Sequence, residues 1–125
     1  MIKTIPLFLA AAALLLAAPM AHADVTGDAV KGKSAFGACA MCHTGVAGKN
    51  GMGPSLFGVV GRTAGTAPGF KYSEAMKAAG TWTPEALDAY LADPRKAVPG
   101  NVMPYAGVKD PQKRADIIAY LKTLK

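Results

Sequence analysis

The stretch GACAMCHTG, residues 37–45, holds the side chains of this sequence that are best suited to chemistry. Two thiols, Cys39 and Cys42, are followed directly by the imidazole of His43. They are the only cysteines in the chain, and His22 is the only other histidine. Thiols three positions apart lie on the same side of a helical turn. The rest of the sequence has to decide whether they form a disulfide, exchange electrons, ligate a metal or carry a covalent group.

Residues 1–23 have the three regions of an export signal. Lys3 supplies a positive start, IPLFLAAAALLLAAP is an apolar core, and AHA at 21–23 has small residues where a signal peptidase cuts. An uncleaved membrane anchor is the alternative. A spanning helix needs about 20 apolar residues, whereas this run is shorter and contains Pro6 and Pro19. We therefore expect cleavage after Ala23, a working domain over 24–125 and a periplasmic location in a bacterium.

The domain left after cleavage has the size of one small globular unit, and we expect a monomer. It keeps the basic character of the whole chain, whose net charge is +6. A basic excess favours nucleic acid, an anionic membrane or an acidic protein as partner. Because the chain is predicted to be exported and has no run of Lys and Arg, we expect an acidic protein, no nucleic acid and no stable membrane insertion.

Export narrows the use of the two thiols. A disulfide between Cys39 and Cys42 would close a very short loop and stabilise little. A redox-active CxxC usually follows a strand, and no strand is predicted before Cys39. A zinc site needs four ligands, and the trimmed chain offers three of the Cys and His type. The pattern C-x-x-C-H is the attachment signature of c-type haem, so we predict one haem joined to both cysteines, with His43 ligating its iron from one side.

The second axial position of the iron needs another ligand. No second histidine remains after cleavage, and a methionine thioether is the common alternative, which raises the reduction potential. Met41 lies within the attachment motif, Met52 follows it closely, and Met76 falls in a helical pattern where methionine usually packs in the core. Met103 lies in VPGNVMPYAG, a segment whose prolines and glycines predict a rigid loop. Position in the sequence therefore favours Met103 as the second axial ligand.

Helical patterns predict an all-α fold. The first helix is expected over 27–39, with Val30 and Phe36 available for packing. The last is expected over 110–125, where Asp110 caps the start and Pro111 opens it. Its apolar stripe is formed by Ile117, Ile118, Leu121 and Leu124.

Two shorter helices are predicted between these. One covers 73–80, with Ser73 as N-cap and Gly80 as its stop. The other begins after Thr83 and must end before Pro94; its apolar face consists of Leu87, Tyr90 and Leu91.

A long segment between His43 and Lys71 has no helical pattern and is rich in Gly and Pro. Such a loop is unusual in a small domain unless it serves a function. Its apolar residues need a surface to cover, and a haem supplies one; they are Met52, Leu56, Phe57, Val59, Val60 and Phe70. The loop thus supports the cofactor without reference to the cysteines.

Taken together, these segments resemble the class I c-type cytochromes, which include mitochondrial cytochrome c and its soluble bacterial counterparts. CAMCH resembles the attachment site, GMGPSLFGVVGRTAG the glycine-proline loop after it, DPRKAVPGNVMPYAG the methionine loop and RADIIAYLK the C-terminal helix. The resemblance extends over nearly all of 24–125. It implies a small all-α fold in which the first and last helices cross near Gly32 and Phe36, and it implies Met103 as the axial ligand.

The resemblance also implies roles for five further residues. Pro54 would back the imidazole of His43, and Tyr90 would pack on the methionine side of the iron. Arg62, Tyr72 and Trp82 would donate hydrogen bonds to a buried haem propionate, which fits the chemistry, because a buried carboxylate needs donors.

The sequence differs from the mitochondrial pattern at Met76, Val102, Pro104 and Tyr105. These differences affect the tuning of the potential and the docking face more than the fold. The basic residues expected nearest to the haem edge are Lys49, Arg95 and Lys96, with Lys31, Lys33 and Lys71 as further candidates.

An iron with both axial positions filled has no open site for a substrate, so the resemblance implies an electron carrier rather than an enzyme. We expect a periplasmic carrier, for example of a respiratory chain, that moves one electron between acidic redox proteins such as an oxidase, a reductase, a dehydrogenase or a photosynthetic reaction centre. The alternatives are an electron-accepting subunit of one dehydrogenase complex, and a haem enzyme such as a peroxidase.

Overall fold

The computed structural model describes residues 25–125, so the predicted export signal lies outside the described residues. Within them the structure is all-α, as predicted. Its helices are α1 (Ala29–Ala35), α2 (Glu74–Lys77), α3 (Pro84–Ala92), α4 (Pro94–Ala97) and α5 (Pro111–Leu121). The only strand-like pairing in the described part is an isolated antiparallel bridge between Thr63 and Thr81.

Helix α1 begins two residues later than predicted and is continued by a 3-10 turn over Phe36–Ala38. The carboxylate of Asp28 accepts hydrogen bonds from the backbone N–H groups of Val30 and Lys31. This cap satisfies two of the amides that a helix leaves unpaired at its start, which explains where the helix begins.

Helices α1 and α5 cross as the resemblance implies. A Cβ atom at Gly32 would overlap the backbone carbonyl of Asp116, so the absence of a side chain there allows the two backbones to touch. The rings of Phe36 and Tyr120 pack beside this crossing, with their centroids 5.1 Å apart. The prediction that Val30 packs in the core is wrong: its side chain is 78% exposed. It lies about 200° around the helix from Gly32 and so faces away from α5.

The middle of the chain follows the predicted caps. The hydroxyl of Ser73 accepts from the backbone N–H of Met76 at the start of α2, and that of Thr83 accepts from Ala86 at the start of α3. Gly80 has a φ of +87°, a left-handed conformation that suits glycine after a helix.

Helix α4 was not predicted from the sequence. Asp93 is extended, with a φ of −157°, and it ends α3 while its carboxylate caps α4 by accepting from Lys96. Pro94 occupies the first helical position, where its missing N–H costs nothing. The proline that was expected only to end α3 therefore also begins a new helix.

Helix α5 is capped by Asp110 as predicted, through the N–H groups of Gln112 and Lys113, but it ends at Leu121 rather than at the chain terminus. Three residues of its predicted stripe are buried and Leu124 is half-buried. Arg114 joins α5 to α3 through an ion pair of 2.7 Å with Asp88.

The core lies between α1, α3 and α5 and includes the loop that precedes α2. Its buried residues are Phe36, Val59, Ala64, Trp82, Leu87, Tyr90, Leu91, Val98, Val108, Ile117, Ile118 and Leu121. The segment 44–70 forms no helix, as predicted. Its apolar residues divide: Val59 is buried, Leu56 and Val60 pack against the core, and Met52 is 80% exposed.

Among residues 25–125, no helix has both the length and the apolar character that a membrane span requires.

Candidate functional site

The CAMCH motif forms a compact turn directly after the 3-10 turn. The backbone N–H of Cys42 donates to the carbonyl of Cys39 at 3.1 Å, and that of His43 donates to the same carbonyl at 2.9 Å. Both cysteines are half-buried and are not bonded to each other. Burial raises the pKa of the Cys39 thiol, and the nearby Cys42 raises it further. The turn therefore presents two thiols and one imidazole from five consecutive residues.

The imidazole of His43 has a defined tautomer. Its Nδ1 atom lies 2.7 Å from the carbonyl oxygen of Pro54. Because a carbonyl only accepts, Nδ1 must carry the proton, and the other nitrogen of the neutral ring, Nε2, keeps its lone pair. The contact with Pro54 thus leaves Nε2 available to ligate a metal.

Gly53 supports the same ring, and the sequence analysis did not single it out. A Cβ atom at this position would overlap the imidazole of His43. Gly53 does not have a positive φ, so glycine is needed here for space rather than for backbone conformation. In the sequence, the only sign of this role is that a glycine directly precedes Pro54 in the segment GMGP.

Asn50 fixes the peptide unit that orients His43. The N–H of Ser55 belongs to the same peptide unit as the Pro54 carbonyl, and it donates to Oδ1 of Asn50 at 2.9 Å. The Asn50 amide donates in turn to the carbonyl of Pro68 at 2.9 Å. One side chain therefore ties the loop after His43 to a segment eighteen residues further along, a contact that the local sequence pattern does not reveal.

Met103 lies in a segment without regular structure and is half-buried against the core. Its sulfur accepts a hydrogen bond of 3.7 Å from the hydroxyl of Tyr90. Burial raises the pKa of Tyr90 to about 12, so the phenol stays protonated and remains a donor at neutral pH. The Tyr90 ring packs on Trp82 at 4.9 Å, and both side chains are buried.

The other methionines of the described chain are placed differently. Met41 is 82% exposed and Met52 is 80% exposed. Met76 lies in α2 and packs against the core, as its helical pattern predicted. Among the methionines of the described residues, only Met103 combines partial burial with a hydrogen bond to its sulfur.

Arg62 lines a cavity of about 250 Å³, together with Asn50, Ser55, Phe57, Pro68 and others. Its Nη1 atom donates to the carbonyls of Ser55 and Phe57, at 3.0 Å and 2.9 Å. Its Nε atom is buried and has no hydrogen-bond partner among the described residues. Since a buried, unpartnered guanidinium N–H is costly, this donor fits an anionic group such as a haem propionate.

The other two residues expected at a propionate lie near Arg62 in the fold. The Tyr72 hydroxyl accepts from the backbone N–H of Ala67, at 3.0 Å, and Ala67 also lines the cavity. The backbone of Trp82 pairs with that of Arg62 through a hydrogen bond of 2.9 Å. The backbone of Trp82 therefore lies beside that of Arg62, and Tyr72 lies beside a residue that lines the same cavity.

Comparison with known proteins decides what this arrangement is. A family model described as cytochrome c matches residues 29–125. The chain belongs to the cytochrome c family. It is 56% identical over 101 residues to cytochrome c2 of Rhodopila globiformis, a match that covers 79% of this chain and 95% of that protein. It is 46% identical to cytochrome c2 of Rhodomicrobium vannielii over 123 residues, which are 97% of this chain and 96% of the relative.

A solved structure gives the same answer. Cytochrome cH from Methylobacterium extorquens superimposes with a TM-score of 0.73 at 52% sequence identity, covering 78% of this chain and 99% of that one. The predicted all-α cytochrome c fold is therefore confirmed.

Membership in the cytochrome c family confirms the predicted cofactor, a covalently bound haem c for which Cys39 and Cys42 have the attachment spacing. It also confirms that the chain is a single-haem electron-transfer protein rather than an enzyme. The free Nε2 of His43 and the unpartnered Arg62 N–H both fit that cofactor.

Proposed function

We propose that this chain is a periplasmic carrier of single electrons, with His43 and Met103 as the axial ligands of its haem iron and with acidic redox proteins as its partners. The observation that carries the proposal is the pair of oriented ligand atoms. Nε2 of His43 is left free by the bond from Nδ1 to Pro54, and the Met103 sulfur is held by Tyr90. The haem supplies iron that alternates between the ferric and ferrous states.

The proposed ligands restrict this site to electron transfer and exclude substrate binding at the iron. Ligation by both the His43 nitrogen and the Met103 thioether would leave the iron no open position for a substrate. Tyr90 orients the methionine sulfur, and Pro54 and Gly53 orient the imidazole. Pre-oriented ligands do not have to move when the charge on the iron changes, and this favours rapid electron transfer.

Arg62, Tyr72 and Trp82 support a buried propionate in this proposal. A carboxylate in a partly buried cavity is stabilised only by donors, and Arg62 has a buried N–H to give. A charge-assisted hydrogen bond of this kind is stronger than one between neutral groups.

The basic side chains expected near the haem edge are available for docking. Lys49, Arg95 and Lys96 are exposed and form no ion pair within residues 25–125. Exposed positive charges attract an acidic partner over a distance of one Debye length, which is about 8 Å at physiological ionic strength. Such contacts accelerate association without making the complex long-lived, which a shuttle requires.

The export of the protein rests on the N-terminal segment. Its charged start, apolar core and AHA site support cleavage after Ala23 and a domain over 24–125. The match to the Rhodomicrobium vannielii cytochrome c2 spans 97% of this chain and so extends into this segment. A haem-loaded product of the cleaved length in the periplasm is the expected result.

The proposal is tested on the full chain expressed in a bacterium that attaches haem c. We expect the intact mass of the purified periplasmic protein to equal that of a chain starting at Asp24 plus one haem. Its pyridine haemochrome spectrum should be typical of two thioether bonds. The ferric form should show the weak far-red band of a thioether–iron bond. Met103→Leu should abolish this band, whereas Met52→Leu, the same change at an exposed methionine, should leave it intact.

Two results would overturn the proposal. Retention of the far-red band in the Met103 variant would exclude that residue as the ligand. A high-spin ferric spectrum of the wild-type protein would indicate an open iron position and would favour an enzyme over a carrier.

A further inference from the structure

The residues around Met103 form a strap that lacks regular secondary structure. Residues 101–110 contain no helix, strand or turn assignment, so specific hydrogen bonds have to hold the methionine in place. At the far end, the backbone N–H of Val108 donates to the carbonyl of Leu91 at 2.7 Å, and Nζ of Lys109 donates to that of Ala92 at 2.8 Å. These bonds fasten the end of the strap to the end of α3.

The near end of the strap is fastened by Asn101, whose backbone N–H donates to the carbonyl of Val98 at 3.0 Å and whose side chain makes three further hydrogen bonds. Its Nδ2 atom donates to the carbonyls of Pro94 and Val98, at 2.8 Å and 3.2 Å. Its Oδ1 atom accepts from the backbone N–H of Met103 at 2.9 Å. The amide therefore bridges α4 and the backbone of the proposed ligand residue.

The orientation of this amide is set by its partners. Both carbonyls can only accept and the Met103 N–H can only donate, so the nitrogen must face α4 and the oxygen must face Met103. Asparagine is the residue of this size that supplies donors and an acceptor at once. An aspartate would place a carboxylate against two carbonyl oxygens, and an alanine would supply neither function.

The neighbours of Met103 restrict it further. Pro104 has no N–H and disfavours a helical conformation for the residue before it. The N–H of Tyr105 donates to the Met103 carbonyl at 2.9 Å. Both backbone groups of Met103 are thus bound within the strap, and of these two bonds only the one from Asn101 links it to a helix.

We infer that Asn101 is a positioning residue for the sulfur ligand: its side-chain amide anchors the methionine strap to α4 and holds Met103 against the iron. This inference rests on the proposed ligation by Met103. It goes beyond that ligation because it assigns the stability of the sulfur–iron bond to a residue that touches neither the iron nor the sulfur.

The test uses the haem-loaded protein and free imidazole, a ligand that binds ferric haem iron after displacing the methionine. Losing the anchor should favour displacement by about the value of one hydrogen bond, so imidazole should bind Asn101→Ala about tenfold more tightly than wild type. The far-red band of the ferric variant should also be weaker before imidazole is added. Asn101→Asp, which keeps the acceptor but loses both donors, should behave like the alanine variant.

The matched control is Gln112→Ala. Gln112 also uses a side-chain amide to bridge two groups, donating to the carbonyl of Thr26 and to the carboxylate of Asp116, but it lies in α5 and its side chain makes no hydrogen bond to the strap. It should lower the thermal stability while leaving the affinity for imidazole unchanged. If the Asn101→Ala protein does not mature with haem, Asn101→Asp carries the same comparison.

The outcomes separate the inference from the proposed function. A wild-type protein without the far-red band contradicts ligation by Met103 itself. A wild-type band together with unchanged imidazole affinity in both Asn101 variants overturns the positioning role. Equal tightening in the Gln112 variant also overturns it, because the effect would then follow general loss of stability.

Discussion

His43 and Pro54 are joined by a hydrogen bond of 2.7 Å between Nδ1 and the carbonyl oxygen, although eleven positions separate them in the sequence. The bond leaves one nitrogen of the imidazole free and fixes the plane of the ring. Gly53 lies under the same ring, where a methyl group does not fit. The loop after the attachment motif is therefore shaped to the imidazole.

Gly53→Ala should displace the imidazole of His43. The backbone of residue 53 can carry an alanine, since its φ is not positive, so the effect comes from the added methyl group alone. We expect a loss of stability of about 1–3 kcal/mol, typical of overpacking, and a lower fraction of low-spin ferric protein. Gly37→Ala is the control, because no atom lies within 4 Å of that Cβ position. Unchanged ferric spectra in both variants would contradict this account of Gly53.

Tyr90→Phe should lower the reduction potential. The hydroxyl of Tyr90 donates to the sulfur of Met103 and thereby withdraws electron density that the sulfur would otherwise give to ferric iron. Removing it stabilises the ferric form, by a few tens of millivolts if one weak hydrogen bond is lost. Phenylalanine keeps the packing on Trp82. The measurement is a spectroscopic redox titration at pH 7, with Tyr120→Phe in α5 as the control. An unchanged or higher potential in the Tyr90 variant would refute the assigned sign.

The sequence predicted the parts of the site that depend on local pattern. CAMCH needs only one turn, and the caps at Ser73, Thr83 and Asp110 are formed by side chains that bond amides two or three residues ahead. Residues that bond backbone in another segment were missed. Asn50 and Asn101 are examples, since each looks like an ordinary loop asparagine until the segment that it reaches is placed beside it.

The error at Val30 and the missed helix α4 have different causes. Helical periodicity does not specify which side of α1 meets α5, and the contact is made by Gly32, a residue without a side chain. The hydrophobic side chain of Val30 therefore indicated the wrong face of α1 as the one that packs against α5. Helix α4 has four residues and depends on the cap from Asp93 rather than on an apolar pattern, so periodicity could not detect it.

Gly32→Ala should destabilise the crossing of α1 and α5. Alanine favours a helix over glycine by up to about 1 kcal/mol, but here its methyl group would overlap the backbone of Asp116, which cannot move aside as a flexible side chain could. The steric cost should exceed the gain in propensity, giving a net loss of about 1–3 kcal/mol in the free energy of unfolding. Denaturant unfolding measures it. Ser34→Ala, an exposed site in the same helix, should be neutral or slightly stabilising, and a stabilised Gly32 variant would contradict the close contact.

Asp116→Asn should make the stability less dependent on pH. Asp116 is only 6% exposed, and its carboxylate accepts from the backbone N–H of Asp28 at 2.8 Å and from Gln112 at 2.9 Å. These two bonds, the first above all, hold the pKa of Asp116 below its ordinary value. A carboxyl group whose pKa is depressed by folding stabilises the protein above its unfolded pKa of about 3.9 and loses that contribution as the pH falls through the folded pKa.

The wild-type protein should therefore be more stable than the Asp116→Asn variant by a constant amount near pH 6–7, and the difference should shrink steadily below about pH 4. Thermal unfolding of the haem-loaded proteins from pH 7 to well below pH 4 gives the measurement. Asp88→Asn is a useful comparison, because the Asp88 carboxylate is half-exposed and pairs with Arg114, whereas that of Asp116 is buried. A wild-type advantage that persists undiminished into acid would show that Asp116 acts through packing, and not through the charge that Asp28 and Gln112 stabilise.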